Sequence, residues 1–123
     1  MTVRLLDQDL VRLEGLWDGG LSGIYDVYFE AAPSAHPQVL LAAALVEEGI
    51  ALQNVGGRAA DAAQLLLGDL CLARASRLLA ASASMPLQVS FARAIEAVSA
   101  AAAAGDGLKS VRQLLLRALE TSI

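Results

Sequence analysis

"LLLGDLCLARASRLLA", residues Leu65 to Ala80, has the apolar density of a helix buried on every side. Yet it holds Gly68 and Asp69 near its middle and two arginines one turn apart, Arg74 and Arg77. Glycine in a helix interior costs roughly 1 kcal/mol relative to alanine, so something must offset it. Close approach of a neighbouring backbone does so without any chemistry. Asp69 among leucines needs hydrogen-bond partners if it is buried. Arg74, Arg77, a neighbouring helix terminus or water are the candidates. On spacing alone, the Gly68–Asp69 pair is a packing device.

The rest of the chain continues in the same vocabulary. Of its 123 residues 56% are hydrophobic and only 4% aromatic, so the core must come from Leu, Ala and Val. Small and straight-chain residues favour helix, and the β-branched and aromatic residues that favour strands are scarce. The fold class is therefore all-α, and the length suits one domain over residues 1–123. Thr2 can cap a first helix ending near Gly15, with Leu5, Leu6, Leu10 and Leu13 at helical spacing. "WDGGLSG" reads as a breaker, after which Ser22 can cap a short helix through "GIYDVYFEAA". "PSAHP" ends that helix, and Pro37 suits the first turn of a third, which runs to about Asn54. A fourth spans about Arg58 to Ala81, Pro86 starts a fifth, and Asp106 caps a sixth. The sixth carries Leu108, Val111, Leu114, Leu115 and Leu119 on one face. The expectation is a compact bundle of about six helices.

The third and fourth helices are apolar nearly all the way round. A chain of this size can hide one central helix, so two imply a face covered by another subunit. The alternative is a six-helix monomer wrapped tightly around both. The first reading predicts that the chain alone self-associates through those helices.

Composition also excludes function classes. The net charge is −4, and no basic cluster suggests nucleic-acid binding. Charge is uneven: eight acids face two arginines through Glu48, and five acids face seven basic residues thereafter. That polarity suits complementary faces for a protein partner. Cys71 is the only cysteine, which fits a reducing cytoplasm and a buried apolar role. "MTVRLLDQDL" does not read as a signal peptide, and "PQVLLAAALV" is too short to span a membrane. His36, the only histidine, reads as a turn or cap residue, and no metal site or cofactor is expected. Trp17, Tyr25, Tyr28 and Phe29 read as a cover for the bundle end. Ser76, Ser82 and Ser84 join no catalytic triad. Lys109, Arg112 and Arg117 read as a solvated face.

Two elements in order carry a resemblance. The "GD" in its apolar helix, followed by "ARA" and a leucine-rich end, resembles the trans-isoprenyl (polyprenyl) diphosphate synthases. So does "LLAAALVEEGIALQN", which is similar to their helix ending in the first aspartate-rich motif. The likeness covers roughly Pro37 to Ser82. It implies an isoprenoid-synthase-like helical fragment, probed most directly at the aspartate positions. Catalytic members bind diphosphate through magnesium held by two such motifs, because a multiply charged leaving group needs divalent neutralisation. Here Glu48, Gly49 and Leu52 stand where the three aspartates would lie, and adjacent Glu47 and Glu48 diverge by about 100° on a helix. Of the following basic residues only Arg58 remains, and the 54 residues after Asp69 are too few for the second motif.

Some bacterial polyprenyl synthases are heterodimers whose small helical subunit lacks these motifs. The sequence looks like that non-catalytic small subunit, as in the hexaprenyl and heptaprenyl synthases of menaquinone side-chain biosynthesis. The resemblance then implies a catalytic large subunit as partner and an influence on product chain length. It assigns helix packing at the interface to Leu45, Ile50, Leu65, Gly68, Asp69, Leu72 and Ala73. A homodimer or other homo-oligomer, with only the architecture shared, is the alternative. An enzyme completed from two chains is the third and least supported reading.

Overall fold

The centre of the protein is one helix, α2 (Pro37–Gln53), around which the others gather. The computed structural model describes residues 15, 17–53, 62–103 and 108–120. Among them are five α-helices and no strand: α1 (Ser22–Ala31), α2, α3 (Ala62–Ser82), α4 (Met85–Ala103) and α5 (Leu108–Glu120). The expected all-α fold is therefore present. The helix expected before Gly15, the Asp106 cap and Arg58 lie outside the described residues.

α2 is buried all round: Val39, Leu40, Ala42 to Val46, Glu47, Gly49 and Ile50 are all inaccessible. Its start follows from the sequence. His36 occupies the cap position, where Nδ1 accepts the Gln38 N–H at 3.1 Å and the backbone carbonyl accepts from Val39 and Leu40. Pro37 follows at the first helical position, where its missing N–H has no role. His36 is thus the cap that the sequence suggested.

α3 runs antiparallel to α2, since Gln38 lies by Ser82 and Gln53 by Asp69. Only one strip of α3 is buried: Gly68, Cys71, Ala75, Leu78 and Leu79. The sequence made both helices central; the structure makes α2 central and α3 an outer helix. Ser84 then caps α4, its Oγ accepting the Leu87 N–H at 3.4 Å. α4 buries Leu87, Phe91, Ala94 and Val98, and α5 buries Val111, Leu115, Ala118 and Leu119. In α5, Val111, Leu115 and Leu119 are buried members of the face read from the sequence, and Leu114 is half-buried beside them.

Two expectations change, while "WDGGLSG" interrupts the helix as expected, with the non-helical Gly20 as a kink between two helical stretches. Gly20 adopts φ 141°, open to glycine and strained for side-chain-bearing residues, so the chain bends and helical bonding resumes. Ser22 is therefore not a cap: it lies within α1, and Leu21 at the cap position makes no side-chain cap bond. The core is not wholly aliphatic either, because Tyr28 and Phe91 are its largest fully buried side chains. Among the described residues no helix is long and apolar enough to cross a membrane.

Candidate functional site

Two of the residues singled out by the sequence, Gly49 and Gly68, meet where α2 packs against α3. A Cβ on Gly68 would stand 3.0 Å from the Gly49 carbonyl oxygen and 2.8 Å from Gln53 Cγ. A Cβ on Gly49 would stand 3.1 Å from the Gly68 carbonyl oxygen and 3.2 Å from Cys71 Cβ. The two glycines face each other, and their missing side chains let the backbones touch. Gly68 thus has the close helix contact expected of it, made with α2 of the same chain. Leu45 and Ile50 are buried and Leu72 is half-buried against the core.

Asp69, beside Gly68, points outward and accepts a hydrogen bond from Gln53 Nε2 at 2.8 Å. The partner is thus a side chain at the C-terminal end of α2, not Arg74 or Arg77. Nothing in the local sequence marks Gln53 as this partner, since it stands 16 residues away.

The three positions at which the resemblance puts aspartates are dispersed. Gly49 is turned into the α2–α3 contact, Leu52 packs on the core, and Glu48 is half-buried. Burial, reinforced by the neighbouring Glu47 charge, raises the Glu48 carboxyl above its usual range. A raised carboxyl stabilises the fold only at acid pH, and this contribution is lost as pH rises through the folded value. Among the described residues no group of three or more His, Cys, Asp or Glu side chains could hold a metal ion.

Glu47 is the less obvious centre. Only 2% exposed inside α2, it accepts the Tyr28 hydroxyl at 2.8 Å on Oε1. Arg112 closes a two-pronged ion pair, Nε to Oε1 at 2.9 Å and Nη2 to Oε2 at 2.7 Å. This corrects two readings: Tyr28 is a buried partner rather than an end cover, and Arg112 is not simply solvated. Trp17 and Phe29 are exposed and flank the half-buried Tyr25 in a run of rings. The available signal was Glu47 itself, since a carboxylate in a helix apolar all round needs a cation or donors. The arrangement ties α1, α2 and α5 together and has no nucleophile or open face for chemistry.

Cys71 is fully buried beneath Gly49, and burial together with the Glu48 charge pushes its thiol up to about 12. Burial first, and then Glu47, also raise the Tyr28 hydroxyl far above its ordinary value. Raised groups of this kind contribute stability below their unfolded pKa and lose it as pH climbs toward the folded one. Stability against urea should therefore fall progressively above about pH 9. Cys71→Ala should flatten the decline from about pH 9 to 12, and Tyr28→Phe the part above about pH 10. A decline of equal slope in all three proteins would refute these assignments.

The opposite side of α3 carries a different set. Leu65 and Leu66 are 45% and 49% exposed, in line along the helix with exposed Asp69 and Ala73. Leu65, Asp69 and Ala73, three of the residues assigned to an interface, thus share an outward face, while Leu45, Ile50, Gly68 and Leu72 serve packing within the chain. Comparison of the chain with protein families, curated proteins and solved structures found no match.

Proposed function

We propose that this chain is the non-catalytic small subunit of a polyprenyl diphosphate synthase, inactive alone, and that it influences product chain length when bound to its catalytic partner. On this reading it acts in the cytoplasm, in isoprenoid or menaquinone side-chain biosynthesis. The observation that carries the proposal is the outer face of α3, where Leu65 and Leu66 are exposed on a helix whose other side is committed to α2. Adjacent exposed leucines on a short bundle are the kind of apolar patch that a partner covers. The dispersed Glu48, Gly49 and Leu52 positions support the lack of activity. Gly49 has no side chain to offer, and Leu52 no ligand atom.

The test is co-expression with a full-length polyprenyl synthase from the same organism. The chain should co-purify with it, and labelled isopentenyl diphosphate with magnesium should be extended by the complex but not by this chain alone. Leu65→Glu with Leu66→Glu should abolish co-purification while leaving helix content intact. Turnover by the isolated chain, or full binding by the double variant, would overturn the proposal. Self-association through Leu65 and Leu66 without synthase binding would instead favour the homo-oligomeric alternative.

A further inference from the structure

α4 and α5 border an open groove of about 300 Å³. Its floor is small and apolar, formed by Ala94, Ala97 and Ala118 with Leu114, and one arginine lines it from each helix, Arg93 and Arg117. Among the described residues neither guanidinium has a hydrogen-bond or ion-pair partner. Glu96 and Glu120 lie three residues further along the same helices, are exposed, and do not line the groove. The groove is open, so it cannot enclose a small ligand as binding pockets do.

The complementary surface is on α1. Asp26 and Glu30 are exposed, four residues apart, and have no partner among the described residues. That spacing brings two carboxylates onto one helix face, about 6 Å apart at Cβ. Phe29, 47% exposed, stands beside them and stacks on Tyr25. We propose that a second copy of this chain docks its α1 face into the α4–α5 groove, with Asp26 and Glu30 on Arg93 and Arg117 and Phe29 over the alanine floor. Two unpaired acids with a bare aromatic ring thus meet two unpaired guanidiniums with a bare apolar floor. Arginine also binds well over an aromatic face, which adds to the match. The donor face and the groove are different patches, so the contact is head-to-tail and extends from copy to copy. It uses neither Leu65 nor Leu66 and stands apart from the synthase reading.

Sedimentation velocity over a dilution series tests this. Exposed ion pairs are screened by salt, so association should weaken about tenfold between about 0.05 M and 0.5 M sodium chloride. Asp26→Lys with Glu30→Lys, and separately Arg93→Ala with Arg117→Ala, should each sediment as monomers with helix content unchanged by circular dichroism. Mixed, the two variants retain one intact face and one intact groove, and should form a 1:1 pair that grows no further. A wild-type chain that stays monomeric at every concentration overturns the proposal. So does undiminished self-association of either variant, which would move the contact to another surface such as Leu65 and Leu66.

Discussion

Arg112→Ala is expected to destabilise the chain by about 3 kcal/mol, the largest effect of any single truncation outside the aliphatic core. The cause is asymmetry within the pair. Glu47 is 3% exposed at its side chain, whereas Arg112 is 39% exposed, so each partner's loss leaves a different remnant. Without Arg112, a carboxylate stays buried with only the Tyr28 hydroxyl as a donor. Without Glu47, the guanidinium can turn into water. Glu47→Leu should therefore cost clearly less than Arg112→Ala, and Arg112→Ala should be partly rescued by adding Glu47→Leu. Tyr28→Phe removes one neutral donor from the carboxylate and should cost about 1–2 kcal/mol. Urea unfolding of the four variants decides the matter. Equal losses for Glu47→Leu and Arg112→Ala, with no rescue, would mean the pair is held by something other than the burial of Glu47.

The second large effect lies at the glycine crossing. Gly68→Leu should cost about 3 kcal/mol through overpacking. Even Gly68→Ala should lose stability, although alanine gains about 1 kcal/mol of helix propensity. Its methyl group would meet the Gly49 carbonyl oxygen at 3.0 Å, and a backbone atom in a buried helix cannot swing aside. Gly23, on the exposed side of α1, supplies the control: nothing lies within 4 Å of its Cβ position, so Gly23→Ala should be neutral or stabilising. The loss at Gly68 should appear as a lower thermal midpoint of the single chain, because the contact is between two of its own helices. A Gly68→Ala protein more stable than wild type would show that α2 and α3 can separate at no cost.

How far these features were legible depends on whether each is local. Helix class, the Pro37 start and the His36 cap are written in residues close together in sequence, and the chain reads correctly there. Gly68 announces that something comes near, because a glycine in a leucine-rich helix demands an explanation. It does not announce that the neighbour is Gly49, since either a helix of the same chain or another subunit would satisfy it. The Glu47 cluster is less legible still. Its partners stand 19 and 65 residues away, and an arginine on the charged side of an amphipathic helix looks like any solvated residue. The break at Gly20 is legible for the same local reason as the Pro37 start: two successive glycines favour the end of a helix, and Gly20 takes a positive φ that interrupts it.

Ala42, Ala43 and Ala44, each wholly inaccessible, form the middle of the central helix. Alanine has no rotamers to lose, so ordering this segment carries no side-chain entropy cost beyond that of the backbone. It also has no rotamers to use. A core of leucines can answer a substitution by turning a neighbouring side chain, whereas three methyl groups in succession can only hold position. An added methylene at Ala43 would have to be absorbed by displacing whole helices, and the densely packed interior passes such a displacement on to the next helix. The centre of this protein is therefore tuned by the spacing of its helices, with little local slack to hide a change in sequence.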